Sequence, residues 1–246
     1  MPITVNADDF GKDRQVNEAI CAAFAKGLIH RTTLMANMPF AKEAMDLARE
    51  KGFADRVGIH LNLTAGKPLT KNIAKDREFC DENGFFTADF HRNTFKRFVL
   101  SNHARQEIKE ELDAQLDRYI ELGGTLLHVD SHHHVHTDMS VLIALLPLLD
   151  KYGVKSIRIG RNLYHGGNRL MRLYKRYLNH RLAAYNKVRS DYFGSADDFE
   201  NFGADDDFVR SSNIEIMVHP LYDEAGRLLD TDYPIDELKD KLGGRI

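Results

Sequence analysis

The chain has 246 residues, of which 43% are hydrophobic and 29% are charged. This balance is typical of a folded globular protein and excludes a disordered or fibrous chain. The formal net charge is −3, from 34 Lys and Arg against 37 Asp and Glu, and this charge argues against a dedicated nucleic-acid binder.

The sequence also lacks the usual signals of a membrane or secreted protein. No run approaches the roughly 18 apolar residues of a membrane span, and the first ten residues do not have the basic and apolar regions of a secretory signal. Only two cysteines are present, Cys21 and Cys80, which is too few for a disulfide framework. We therefore expect a cytoplasmic protein that binds neither nucleic acid nor a membrane.

Short apolar runs alternate with segments of helical periodicity along the chain. In the first half, the predicted strands and helices in chain order are strand Ile3–Val5, helix Val16–Gly27, strand Thr32–Met35, helix Phe40–Gly52 and strand Val57–Leu63. The pattern lapses from Thr64 to Asn93, and a loop of this length inside a compact domain is usually a lid or a binding loop.

Periodicity resumes in the second half of the chain. The predicted order there is helix Asn102–Leu122, strand Leu126–Asp130, helix Val141–Tyr152, strand Val154–Ile159, helix Asn168–Val188, strand Ile214–Val218 and helix Ile235–Leu242. Strands that alternate with helices form βαβ units and impose a parallel sheet. We therefore predict a single α/β domain, residues 1–246, with a distorted or incomplete (β/α) barrel; a doubly wound open sheet is the alternative.

Candidate functional residues follow the ends of four predicted strands. Asp8 and Asp9 follow the first strand, His60 lies in the third, and His219 closes the strand that ends at Val218. The segment 128–136 holds five of the chain's 12 histidines, a density that chance does not explain. Because ligands bind at the carboxyl ends of parallel strands, we expect these segments to meet at one edge of the sheet.

This combination of side chains predicts a metal site. An aspartate and two imidazoles suit Zn, Mn, Fe, Co or Ni and, with added water, Mg. Such a set leaves coordination positions open, as catalytic sites do. A metal-dependent hydrolase, including a phosphoesterase, is one interpretation; a non-catalytic metal-binding protein that also uses His133, His134 and His136 is another. A single strand-end Asp is often only a turn former, and His60 alone would more often be a rim histidine.

Four motifs resemble those of the YdjC-like carbohydrate deacetylases, which include the chitooligosaccharide deacetylases: NADDFG, GIHLNLTAGKPL, HVDSHHHVH and EIMVHP. That family is similar in architecture to the NodB-type polysaccharide deacetylases, which have a distorted (β/α) barrel. The resemblance implies hydrolysis of an N-acetyl group on an amino sugar or small oligosaccharide. It also implies one divalent metal, with Mg favoured over Zn or another transition metal, and a homodimer.

The resemblance further implies roles for individual residues. Asp9, His60 and His132 would be the metal ligands, Asp8 the general base and His219 the general acid.

Three further residues would support these groups. Asp130 and His136 would orient the imidazoles, and Arg158 would hold Asp8 ionised or bind a sugar hydroxyl. The sequence departs from the family pattern at residues 12–14 (Lys-Asp-Arg) and at Leu221, so the choice of sugar stays open.

Overall fold

The computed structural model describes residues 3–125, 128–165, 168–185, 190–231 and 233–246. The strands are β1 (Ile3–Phe10), β2 (Arg31–Leu34), β3 (Val57–Leu61), β4 (Val129–Ser131), β5 (Tyr192–Ser195), β6 (Ile214–Val218), β7 (Pro220–Tyr222), β8 (Leu228–Asp230) and β9 (Tyr233–Pro234). The helices are α1 (Arg14–Ala25), α2 (Ala41–Glu50), α3 (Asp89–Arg92), α4 (Asn102–Glu121), α5 (Met139–Lys151), α6 (Arg169–Ala183), α7 (Ala196–Phe202), α8 (Asp206–Ser211) and α9 (Leu238–Lys241). Short 3₁₀ turns span Ala54–Arg56, Ile73–Lys75, His132–Thr137 and Ile235–Glu237.

Six strands form one sheet in the order β4-β3-β2-β1-β6-β5, and every pairing in it is parallel. The segment 156–163 hydrogen-bonds to both edge strands of this sheet. Arg158 N donates to Val129 O of β4 at 2.9 Å, and Leu163 N donates to Phe193 O of β5 at 3.1 Å. A segment can reach both edges only if the sheet curls, so the predicted distorted (β/α) barrel is confirmed and the open sheet is not.

Helix α1 shows how the helices cover the sheet. The Asp13 carboxylate caps its N-terminus by accepting a hydrogen bond from Val16 N at 2.8 Å. Ala19, Ile20 and Ala23 recur at helical spacing, and all three are buried in the hydrophobic core. Among the described residues, no helix is long and apolar enough to cross a bilayer.

Strand β1 is longer than the sequence suggested. We expected it to end at Val5, but it continues to Phe10 because Ala7 and Phe10 are buried and pair with β2. The register shifts between these two residues, and Asp9 adopts a φ of +70°. Asp8 and Asp9 therefore lie in the irregular end of a buried strand rather than in a turn after it.

Two other predicted strands are shorter than expected. In Val154–Ile159 only an isolated parallel bridge between Ile157 and Val129 forms, because this segment closes the barrel instead of lying along one neighbour. Strand β4 occupies the end of the predicted Leu126–Asp130, whose first two residues lie outside the described residues.

Predicted helices near the C-terminus also differ from those in the structure. Helix α6 accounts for most of the predicted Asn168–Val188, whose last three residues lie outside the described residues. The predicted helix Ile235–Leu242 is a 3₁₀ turn followed by the four-residue α9.

The sequence did not predict β5, α7, α8 or the small antiparallel sheet β7-β8-β9. The predicted loop Thr64–Asn93 contains the 3₁₀ turn Ile73–Lys75 and the whole of α3.

Candidate active site

Asp9, His60 and His132 meet at the carboxyl edge of the sheet. Asp9 Oδ1 lies 2.8 Å from His132 Nδ1 and 3.2 Å from His60 Nε2. One ligand atom from each of the three lies within 4.8 Å of the others. Asp9 and His60 are buried, whereas the His132 side chain is 12% exposed. The three side chains therefore form a compact cluster with one accessible side.

Local backbone geometry places these side chains. His132 begins the 3₁₀ turn after β4, in which His133 and His134 have φ values of +53° and +57°. Left-handed conformations are uncommon for residues with a Cβ and concentrate at functional sites. His60 lies in β3 opposite Asp130 of β4, and a Cβ on Gly58 would lie 2.6 Å from His128 O. Glycine is therefore needed two residues before His60 for β3 and β4 to approach.

Asp130 fixes the orientation of the His60 ring. His60 Nδ1 lies 2.7 Å from Asp130 Oδ1, and Thr33 Oγ1 donates to Asp130 Oδ2 at 3.0 Å. Burial alone would lower the pKa of His60, but the Asp130 and Asp9 carboxylates outweigh burial and raise it to about 10. With Nδ1 held by Asp130, Nε2 is the nitrogen that faces Asp9. A carboxylate behind an imidazole is the usual support of a metal-ligating histidine.

The donor set of this cluster fits a divalent cation. Burial raises the pKa of the Asp9 carboxyl, but hydrogen bonds with His132 and His60 outweigh burial and bring it well below its usual range. Lys12 Nζ lies 3.0 Å from Asp9 Oδ2. Two imidazoles and one ammonium group thus contact the Asp9 carboxylate, and one carboxylate with two imidazoles is a ligand set typical of catalytic metal centres.

Asp8 is held by Arg158. Arg158 donates to Asp8 Oδ2 and Oδ1 at 2.6 and 2.7 Å, and Asn6 Nδ2 donates to Oδ1 at 2.7 Å. The Arg158 side chain is fully buried and lies 4.6 Å from the ring centroid of Phe193. The structure therefore places Arg158 against the Asp8 carboxylate. Because the Arg158 side chain is closed off from solvent, it is not accessible to a sugar hydroxyl.

Arg158 also contacts two other buried carboxylates. Its Nε donates to Glu215 Oε1 at 2.6 Å, and one terminal nitrogen lies 2.8 Å from Asp130 Oδ2. Arg31 makes a second ion pair with Glu215 at 2.8 Å. Neither Glu215 nor Arg31 was predicted as a site residue, because Glu215 is a single charged residue in the otherwise apolar β6 and Arg31 precedes the predicted strand Thr32–Met35. Through Asp130, this network links Asp8 to the support of His60.

His219 lies close to the Asp8 carboxylate. Its Nε2 is 3.9 Å from Asp8 Oδ2, and its side chain is 41% exposed. The backbone N–H of His219 donates to Asp230 Oδ1 at 2.7 Å, and Tyr233 donates to Asp230 Oδ2 at 2.7 Å. The small β7-β8-β9 sheet, which supplies Asp230 and Tyr233, thus fixes the start of the His219–Pro220 segment.

The remaining histidines of segment 128–136 lie outside the cluster. His136 contacts Ser131 Oγ and the Arg158 carbonyl oxygen, and burial lowers its pKa to about 4. His134 is packed against Phe193. The His133 ring stacks on His132 with centroids 4.1 Å apart. Of the two residues predicted to orient the imidazoles, Asp130 contacts the His60 ring, whereas His136 contacts the backbone carbonyl oxygen of Arg158.

The fold and this cluster define a class: a (β/α)-barrel protein with an Asp-His-His site at the carboxyl edge of its sheet. The YdjC-like protein family matches residues 2–241 of the chain. The chain belongs to that family.

Several relatives carry the name carbohydrate deacetylase. Those of Geobacillus stearothermophilus and Halalkalibacterium halodurans are each 34% identical to this chain, over 89% and 90% of its length and 78% and 86% of theirs. The one from Vibrio cholerae serotype O1 is 38% identical over 65% of this chain, and the match spans 60% of that protein. A crystal structure from Enterococcus faecalis V583, described by its name as a cellobiose-phosphate cleavage protein, has a TM-score of 0.71 and 25% identity, with 99% of this chain and 94% of that chain covered.

Proposed function

We propose that this protein is a metal-dependent hydrolase that removes N-acetyl groups from amino sugars or small oligosaccharides of the chitooligosaccharide type. The observation that carries the proposal is the placement of the Asp9-His60-His132 cluster beside the Asp8 carboxylate, with His219 Nε2 3.9 Å from Asp8 Oδ2. The names of the relatives support a carbohydrate substrate and a deacetylation reaction.

Asp9, His60 and His132 would hold the divalent cation. When bound, the cation supplies Lewis acidity, which polarises a carbonyl group and makes water a stronger acid. The family resemblance favours Mg²⁺, whereas two imidazole ligands also suit Zn²⁺ and other transition metals. Asp130 and Thr33 contribute by keeping His60 Nε2 aimed at the site.

Asp8 is the proposed general base. Hydrolysis of the amide adds water to the acetyl carbonyl carbon, and the water must lose a proton as its oxygen attacks. Asp8 Oδ2 lies on the side of the carboxylate that faces His219, so it can accept this proton. Arg158 and Asn6 fix the carboxylate in one orientation, which positions the base before substrate arrives.

His219 is the proposed general acid. When the carbon–nitrogen bond breaks, the amine nitrogen of the sugar must gain a proton, and acetate is released. His219 is half-exposed at the mouth of the site, where a departing amine would lie. Its distance of 3.9 Å from Asp8 Oδ2 is short enough for a small movement to return the proton that Asp8 has taken.

Two other features agree with a single cation at this site. Asp8, His60 and Asp130 also group together, but the Arg158 guanidinium already pairs with both carboxylates. A second metal there, as in many phosphoesterases, would have to displace Arg158. His133 and His134 are not in the Asp9 group, which makes a multi-histidine metal-storage site a weaker interpretation.

Acetate release tests the proposal. Purified protein is incubated with N,N′-diacetylchitobiose, its phosphorylated form and N-acetylated monosaccharides, with and without a chelator. The phosphorylated sugar is included because the name of the structural neighbour refers to a disaccharide phosphate. We expect equal amounts of acetate and free amine from at least one of these sugars, abolished by the chelator. Hydrolysis of phosphate esters without acetate release would contradict the proposal. The homodimer and the cytoplasmic location stay predictions.

A further inference from the structure

Helix α4 presents a stripe of buried polar side chains to the segment that follows β3. Glu107, Glu111 and Gln115 recur every four residues and are at most 5% exposed, so they share one helical face. Buried carboxylates and amides need partners. The partners of this stripe show how the segment Thr64–Asn93 is attached to the helix.

The two C-terminal members of the stripe are fully paired. The Gln115 side chain accepts from Asn62 N at 2.9 Å and donates to Asn62 O at 2.6 Å. Glu111 accepts from the backbone N–H groups of Leu69 and Thr70 at 3.0 and 2.8 Å. Gln115 therefore binds the backbone just after β3, and Glu111 binds the backbone of the segment Thr64–Asn93.

Glu107 differs because its neighbours leave it underpaired. Its Oε1 lies 3.4 Å from His103 Nε2, and its Oε2 is buried without a hydrogen-bond partner among the described residues. The Asp76 carboxylate is its other neighbour, and Asp76 Oδ1 accepts from Glu78 N at 2.7 Å. Burial and the proximity of Asp76 both raise the pKa of Glu107. Two carboxylates this close need a proton or a cation between them.

We propose that Asp76, His103 and Glu107 form a second divalent-cation site, of the class that binds Zn²⁺ or Mn²⁺. One ligand atom from each residue lies within 4.8 Å of the others. Two carboxylates and an imidazole suit such cations, and the unpartnered Glu107 Oε2 is the donor that a cation would satisfy.

The placement of the three residues gives this site a structural role. His103 and Glu107 are one helical turn apart on α4, whereas Asp76 directly follows the 3₁₀ turn Ile73–Lys75 of the loop. A bound cation would therefore attach the polypeptide that follows β3 to α4 at a third position, Asp76, in addition to the attachments through Glu111 and Gln115. None of its ligands belongs to the Asp9-His60-His132 cluster, so its occupancy does not depend on the proposed deacetylase activity.

The number of zinc ions bound per full-length chain tests the proposal. The protein is stripped with a chelator, dialysed against buffered Zn²⁺ and analysed by plasma mass spectrometry. His103→Ala should bind one zinc ion per chain fewer than wild type, as should Glu107→Gln. His180→Ala is the matched control, since it removes another exposed helical histidine outside the cluster, and should bind as wild type does. The His103 side chain is 79% exposed, so its removal leaves the core intact.

Thermal unfolding provides a second readout. In an Asp9→Ala background, Zn²⁺ should raise the unfolding temperature, and adding His103→Ala should abolish this rise, because a cation that binds only the folded state stabilises it. Equal zinc counts in wild type and His103→Ala would overturn the proposal and indicate that a proton, not a cation, lies between the two carboxylates. If the protein released no acetate, only the proposed deacetylase function would be contradicted, and the difference in bound zinc between wild type and His103→Ala would still be expected.

Discussion

Removal of the Arg158 guanidinium should destabilise the fold strongly. In Arg158→Met a fully buried cation is replaced by an apolar side chain of similar length. Four contacts of 2.6–2.8 Å are lost, to Asp8, Asp130 and Glu215. Arg31 remains as a partner for Glu215, but Asp8 and Asp130 lose their guanidinium partner while they stay buried.

The expected loss follows from this burial. Removing one partner of a buried ion pair typically costs about 3–5 kcal/mol, because the other charge stays buried and uncompensated. Three carboxylates share this guanidinium, so the upper end of that range applies. Domains are stable by only about 5–15 kcal/mol. With a urea slope of roughly 3 kcal/mol per M for a chain of this size, the unfolding midpoint should fall by about 1–2 M.

Urea unfolding in the presence of a chelator measures this loss without a contribution from metal binding. Arg118→Met is the matched control, because Arg118 pairs with Glu121 at the surface, where 44% and 65% of the two side chains are exposed. An exposed pair contributes about 0–1 kcal/mol. Equal midpoints for Arg158→Met and Arg118→Met would refute the argument that the Arg158 network is a buried, mutually dependent set of charges.

The pH dependence provides an independent check. Burial raises the pKa of the Asp130 and Glu215 carboxyls, but Arg158 and neighbouring cationic groups outweigh burial and hold both well below their usual range. Such groups stabilise the fold above their unfolded pKa of about 4, and this contribution is lost as the pH falls through the folded-state pKa. The difference in the free energy of unfolding between wild type and Arg158→Met should therefore be largest at pH 7. This difference should become smaller toward pH 4, because the carboxylates that lack a guanidinium partner in the variant take up protons and no longer repel each other.

Three substitutions at the site separate binding from chemistry. Asp8→Asn should keep the metal content and lower kcat by about 10²–10⁴-fold; near-native turnover would remove Asp8 from the base role. His219→Gln should lower kcat with little change in KM, measured by acetate release; an effect on KM alone would indicate a binding role. Asp130→Asn should weaken metal affinity by about 10–100-fold because His60 loses its orienting carboxylate, and unchanged affinity by metal titration would contradict that role.

The positions of the barrel strands along the chain could be predicted where apolar runs were continuous. Val57–Leu61 and Ile214–Val218 are buried on both faces, as parallel strands between helices must be, and their sequences are correspondingly apolar. Strand β5 was missed because Tyr-Phe-Gly-Ser is only four residues long and contains a glycine. The Ser195 capping box that starts α7 was a local signal that could have located the end of β5.

Strand-end placement predicted which segments meet at the edge of the sheet, but it revealed only part of the network that supports their side chains. Asp9, His60 and His132 lie on three separated segments, and the rule on parallel sheets was sufficient to predict that they meet. Glu215 is fully buried in the otherwise apolar β6, and Arg31 pairs with it from the first position of β2. Only the tertiary structure identifies Glu215 as a further partner of Arg158, because the two residues are 57 positions apart in the sequence.

Titration of chelator-stripped protein with Mg²⁺, Mn²⁺ or Zn²⁺, followed by acetate release from N,N′-diacetylchitobiose or a more rapidly hydrolysed acetylated sugar, tests the central claim most directly. We expect the rate to rise from zero to a plateau with at least one cation in wild type, and to stay at zero in Asp9→Ala and His132→Ala at every cation concentration. Undiminished acetate release from the stripped protein, or from either variant, would contradict a catalytic metal centre at the end of β1.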